Sequence, residues 1–266
     1  MSKKLILAGV AVVAALVAAG SAFAITNGQH DGNAHPNVGA MMAFDDPSQP
    51  NTLQELCSGT LVAPTVFLTA AHCTDFLLNE LHTTTVFVTF NTNSAEGPYI
   101  QGTMVQDPLY NPKPAQNGND VAVILLDSAP QGLTPATLPP VGLLDSMKAN
   151  KTLTQSSAFT AVGYGDGNRQ VGGGKPTFAF DGFRGNATSF FNALTGSWLR
   201  LTQNASVGAG GTCFGDSGGP NFLGTSDTIA ATTISGDSAC KATNVDLRMD
   251  TQSAQDFLAQ FGVPRG

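Results

Sequence analysis

The chain has 266 residues, of which only 12% are charged, and a formal net charge of −7. An acidic surface without basic clusters argues against nucleic acid and anionic membranes as partners. Gly, Thr, Ser, Asn and Pro are plentiful, which suits an all-β fold with many turns better than a helical bundle.

The first element is a targeting segment. Lys3 and Lys4 give a positive start, Leu5 to Ala19 form an uncharged apolar run, and Ala22-Phe23-Ala24 is a small-x-small cleavage pattern. The run is shorter than the ~20 residues a membrane span needs, and no basic stop-transfer flank follows. Residues 1–24 are therefore expected to leave as a signal peptide, which takes the net charge to −9. No Cys follows the run, so a lipoprotein anchor is not expected. The remaining chain is long enough for one large domain or two small ones.

Short β-type runs then recur, each rich in Val, Ile, Thr or Phe and closed by Gly, Pro or Asn. "GTLVAPTVFLTAAHC" contains two of them, split at Ala63-Pro64-Thr65. "TTTVFVTF", "DVAVILLD", "SSAFTAVGYG" and "DTIAATTISG" are others. "DPSQPN" and "GDGNRQVGGGKP" read as surface loops. The prolines of "GLTPATLPPVG", Gly132 to Gly142, mark a linker between two strand-rich halves, 25–138 and 139–266. Helical periodicity is clear only at the end. There "DTQSAQDFLAQFG" opens with a capping-type Asp250 or Thr251 and places Ala254, Phe257, Leu258 and Phe261 on one face.

Four cysteines, Cys57, Cys73, Cys213 and Cys240, suggest disulfides in an exported chain, and four allow three pairings. Their spacing is unlike that of paired zinc knuckles and histidine is scarce, so no metal site and no cofactor are expected.

Chemistry concentrates in three segments. "GGTCFGDSGGP", Gly210 to Pro220, sets a hydroxyl among residues that let the backbone turn sharply and approach a substrate closely. A serine attacking a carbonyl needs a base, a group that orients the base, and N–H donors for the developing oxyanion. The N–H groups of Gly215 and Ser217 have the spacing of such donors. "LTAAHC" ends an apolar run in His72. "NDVAVILL" opens an apolar strand with Asp120, a carboxylate that is costly to desolvate unless it accepts hydrogen bonds or orients an imidazole.

With these residues, in the order His72, Asp120, Ser217, the chain resembles the secreted serine endopeptidases of the chymotrypsin/trypsin family over essentially its whole mature length. The resemblance implies two six-stranded antiparallel β-barrels with the active site in the cleft between them, His72 and Asp120 from the first and Ser217 from the second, and a short C-terminal helix. Ser217 would be the nucleophile, His72 the general base and Asp120 its orienting partner. Cys57 would bridge Cys73, and Cys213 would bridge Cys240. Tyr164 in "AVGYG" takes the place of the family's Trp, and Ser235 in "TISG" would hydrogen-bond Asp120.

The family's specificity residue lies six positions before the nucleophile. Gly211, followed by Thr212, lacks the carboxylate that selects basic side chains, so an uncharged or apolar preference is expected. Ser235-Gly236-Asp237 shortens the family's pocket wall and brings an acid near it, and Asn244 and Asp246 fall where a pocket charge is sometimes carried. The family's chains begin at an Ile or Val whose α-amine pairs with the Asp before the nucleophile. Here Ile25 would pair with Asp216, exposed by signal peptidase itself, since no basic residue lies between Lys4 and Ile25. The expected partners are protein or peptide substrates and protein inhibitors, with no membrane after signal cleavage, and the expected state is a secreted monomer. The competing reading, an inactive relative serving as a secreted binding or adhesion protein, is disfavoured by an intact set of three motifs.

Overall fold

A computed structural model describes residues 25–46, 51–113, 118–170 and 177–266, with the backbone alone described for 169 and 170. The expected signal peptide and parts of the two surface loops lie outside these residues. After β1 (Gln29–His30) come β2 (Val38–Ala43), β3 (Gln54–Ala63) and β4 (Val66–Thr69), then α1 (Ala71–Asn79), β5 (Val86–Thr89), β6 (Ile100–Gln106) and β7 (Ala122–Leu126). The second half holds α2 (Leu143–Ala149), β8 (Ala158–Gly163), the short pair β9 (Arg169–Gln170) and β10 (Thr177–Phe178), then β11 (Gly185–Leu194) and β12 (Trp198–Thr202). It ends with β13 (Pro220–Leu223), β14 (Ile229–Gly236), β15 (Thr243–Arg248) and α3 (Gln252–Ala259).

These strands make two closed six-stranded antiparallel barrels. The first runs β2-β3-β4-β7-β6-β5. The second runs β8-β11-β12-β15-β14-β13 and closes through β8, which pairs with both β11 and β13. The apolar runs read from sequence become these strands because each can bury a face against the barrel interior. In β7, for example, Ala122, Val123 and Ile124 are wholly buried. The proline-bearing stretch from Gly132 falls between β7 and β8, where the chain changes barrels. α1 and α2 have no counterpart in the sequence reading, which found helical periodicity only at the end. Each is short and buries few residues, so its apolar stripe is brief.

The chain ends cross over. The sequence division at 25–138 assigned the first residues to the N-terminal barrel. In space β1 pairs with β11, and Thr26 exchanges backbone hydrogen bonds of 2.7 and 2.9 Å with Gly211, both in the C-terminal half. An edge strand satisfies its backbone wherever a free edge is offered. At the other end, Thr251 caps α3 by accepting from the Ala254 N–H at 3.3 Å. Ala254, Phe257 and Leu258 share a core with Val62, Val66 and Val121 of the first half. Ser253 Oγ donates to Asn119 Oδ1 at 2.8 Å, one residue from Asp120.

A polar seam joins the barrels. Arg184, wholly buried, donates through Nε to Asp31 at 3.0 Å and through Nη1 to the carbonyls of Val38 at 3.0 Å and Phe90 at 3.2 Å. The Tyr164 hydroxyl donates to the Asn91 carbonyl at 2.6 Å. A buried guanidinium is tolerable only with this many acceptors around it.

Candidate active site

His72 and Asp120 meet through strand register. Thr69 pairs with Ala122 where β4 lies against β7. Three residues after Thr69 the chain has turned into the first turn of α1 at His72, and two residues before Ala122 stands Asp120. One buried carboxylate holds the histidine twice: the His72 backbone N–H donates to Oδ1 and Nδ1 lies against Oδ2, both at 2.8 Å. Asp120 is 1% exposed at its side chain and His72 32%. An ionised carboxylate only accepts, so Nδ1 carries the hydrogen and the Nε2 lone pair is left toward the cleft.

The Ser217 loop is pinned to the first barrel by β3. The Ser58 N–H donates to the Ser217 carbonyl at 2.9 Å, and Ser58 Oγ donates to the Gly215 carbonyl at 3.1 Å. Cys73 Sγ lies 3.8 Å from the Ser217 carbonyl, so the loop packs on the turn that carries His72. Glycine is required at two points here. Gly215 has φ +90°, and Gly218 has φ +80° with Thr69 Oγ1 2.2 Å from where a Cβ would stand. The disulfides pair as the family resemblance implies, Cys57 with Cys73 and Cys213 with Cys240. Among the described residues Cys57, His72 and Cys73 are also the one group close enough to hold a metal ion, but both sulfurs are already joined to each other and offer no thiolate.

Beside Ser217 lies a cavity of about 200 Å³, lined by Thr212, Cys213, Ser217, Ser235, Gly236 and Asp237 among others. Ser235 stands exposed on its wall. The β14–β15 register is irregular between Thr233 and Ser235, with Ile234 packed against the cores and Ser235 exposed. Asp237 also lines the cavity, but its carboxylate accepts from the backbone N–H groups of Lys241, Ala242 and Thr243. Burial pushes that carboxyl up, and these bonds more than reverse the effect, leaving it below its usual range.

Gly211 and Asn244 do not reach this surface. Gln203, which sequence reasoning missed, fills the space in front of Gly211, with its Oε1 2.4 Å from where a Cβ would stand. Asn244 and Asp246 are fully buried, and Asp246 accepts from Asn221 Nδ2 at 2.8 Å. Burial drives the Asp246 carboxyl well above the usual carboxylate range.

Asp216 and Ile25 are both wholly buried. Ile25 packs on Ala161 of β8. Asp216 lies against the end of the same strand, where its Oδ1 is 2.2 Å from where a Cβ on Gly163 would stand. Its carboxylate accepts from the Gly165 and Cys213 N–H groups at 2.9 and 2.8 Å. Burial pushes it up to about 7, the two N–H donors acting in the opposite sense.

The two barrels and this cleft are the architecture of the chymotrypsin-like serine proteases. The sequence profile described as Trypsin matches residues 27–258, and the chain belongs to that family, whose members are serine proteases and therefore hydrolases. Two solved structures are similar in fold. Neuropsin, a serine protease expressed in the limbic system of mouse brain, is 19% identical with a TM-score of 0.67, over 90% of this chain and 100% of the other. HL collagenase is 19% identical with a TM-score of 0.65, over 91% and 100%.

Proposed function

We propose that this chain is an active, secreted serine endopeptidase working through His72, Asp120 and Ser217. The observation that carries the reading is the double hold of Asp120 on His72, which fixes the tautomer a general base needs, next to a serine loop clamped by Ser58. Ser217 Oγ attacks the scissile carbonyl while His72 Nε2 takes its proton. The N–H groups of Gly215 and Ser217 receive the oxyanion. His72 then gives the proton to the leaving amine, and water repeats the sequence on the acyl-enzyme.

The side chain before the scissile bond enters the cavity beside Ser217, and an uncharged side chain suits it. Gly211 supplies no carboxylate, the carboxylate of Asp237 is engaged by backbone N–H groups, and Asp246 is sealed beneath the surface. Activation follows from cleavage before Ile25. Its φ of +70° is strained for a β-branched residue, and removing the preceding peptide unit removes that constraint. The freed amine would neutralise Asp216, packed on the same strand. Among the described residues no helix is long and apolar enough to cross a membrane.

The test is a fluorophosphonate probe on the secreted protein. Labelling at Ser217, abolished by Ser217→Ala, is expected. No labelling of folded protein, or equal labelling of that variant, sinks the proposal. N-terminal sequencing of the active form should give Ile25 as the first residue.

A further inference from the structure

A second cavity, of about 330 Å³, opens on the other side of Phe214 from the first and is lined by Asp45, Glu55, Leu56, Asp166, Phe214 and Gly215 among others. Phe214 borders both cavities and is 55% exposed. Gly215, an oxyanion donor in the endopeptidase reading, lines the second cavity, and Ser217 lines the first. On that reading the substrate beyond the scissile bond is assigned to the second cavity.

Three acidic residues, Asp45, Glu55 and Asp166, line this cavity. Glu55 Oε1 and Asp45 Oδ1 have no exposed surface and accept no hydrogen bond. Glu55 backs onto the oxyanion loop, its Oε2 3.1 Å from where a Cβ on Gly215 would stand. None of the ion pairs among the described residues involves Asp45, Glu55 or Asp166. Burial, with added repulsion from Asp216 and Asp166, holds Glu55 well above its usual range, and burial raises Asp166 as well. Such groups are expensive to leave unpaired, and a cation entering the cavity relieves them.

A single metal ion does not fit. Its ligand oxygens must converge to within ~2.6 Å of one point. No trio drawn from these acids lies within the 4.8 Å mutual spacing that a shared ion needs, among the described residues. A long cationic side chain does fit, since its stem can lie on Leu56 and the Phe214 ring while its head spans separated carboxylates.

We propose that this cavity receives an arginine or lysine that follows the scissile bond, so that the enzyme selects a cation on the leaving-group side of its substrate. The inference rests on the endopeptidase reading above. It assigns specificity to Asp45, Glu55 and Asp166, none of which the sequence motifs single out.

The experiment uses internally quenched peptides that are identical before the cleaved bond and carry Arg, Lys, Ala or Glu at the first and second positions after it. With wild-type enzyme, kcat/KM for Arg or Lys is expected to exceed that for Glu by about tenfold. In Glu55→Gln/Asp166→Asn the Arg:Glu ratio should fall toward one. The ratio is read within each variant, so a general loss of rate does not affect it. If the double variant fails to fold, Asp45→Asn alone should lower the ratio. A wild-type ratio near one, a preference for Glu, or a ratio unchanged by every soluble variant overturns the proposal. So does a ratio that changes on adding calcium or EDTA, since a metal would then occupy the cavity. An ester substrate with no residue beyond the bond separates the two readings. If it is hydrolysed and the peptides show no preference, only this inference falls; if it is inert and the fluorophosphonate does not label, both fall.

Discussion

Retaining residues before Ile25 should leave the protein with a measurable weakness at neutral pH. Without a cation Asp216 titrates at about 7, against 3.8 for an ordinary aspartate. A gap of roughly three pH units, at 1.36 kcal/mol each, corresponds to about 4 kcal/mol. The sign follows from which state holds the proton more tightly. The folded state does, so its advantage is complete below about pH 4 and is lost as pH rises to about 7. A form beginning at Phe23 should therefore become less stable across that window, whereas a form beginning at Ile25 pairs the carboxylate with its amine and does not. Urea unfolding at several pH values, in a Ser217→Ala background to prevent self-digestion, measures both forms. Asp246 contributes equally to each, whereas Glu55 is repelled by Asp216, so the difference between the two curves reads Asp216 together with its coupling to Glu55. Adding Asp216→Asn to the longer form should flatten its excess slope. If the two forms share one pH dependence, or the longer form is as stable at pH 8 as at pH 4 relative to the shorter, the proposed role of the amine is refuted.

Asp120→Asn should lower kcat by about 10⁴ with the fold intact, because an amide can present its N–H and favour the wrong imidazole tautomer; circular dichroism and kinetics on one sample check both parts. Arg184→Ala should destabilise by roughly 1–3 kcal/mol in urea melts, since the buried carbonyl of Val38 loses a donor and Asp31 keeps only His35 and Asn186. Removing the Cys213–Cys240 bridge, whose cysteines are 27 residues apart, should cost about 3.5 kcal/mol by loop-closure entropy. It should also raise KM, because both cysteines line the first cavity. Gly211→Ala should destabilise by roughly 1–3 kcal/mol through overlap with Gln203, and Gln203→Gly in the same chain should recover most of that loss.

The strand pattern was legible because barrels bury alternate faces, which Val, Ile and Thr runs advertise. The proposed triad was legible for a different reason: each member sits in a short motif whose neighbours serve local geometry, such as Gly215 and Gly218 around Ser217. What stayed hidden depends on register and on distant approach. The β14–β15 pairing shows this best, since its irregularity between Thr233 and Ser235 is marked by no sequence feature. Gln203 follows the last residue of β12 and matters only because Gly211 leaves room for it. Glu55 stood two residues before Cys57 as the one charged residue of β3, and that signal was available. Its companions Asp45 and Asp166 come from elsewhere in the chain and could not have been grouped with it by spacing.

The crossing of the chain ends alters what each half can do by itself. Residues that precede the first barrel complete an edge of the second, and the helix that follows the second lies over apolar side chains of the first. A fragment cut at the proline-bearing linker would carry one borrowed segment it has no place for and lack one it needs. Either half produced alone should therefore be sticky and poorly folded. The two expressed together should reassemble, each fragment supplying the strap that fastens the other.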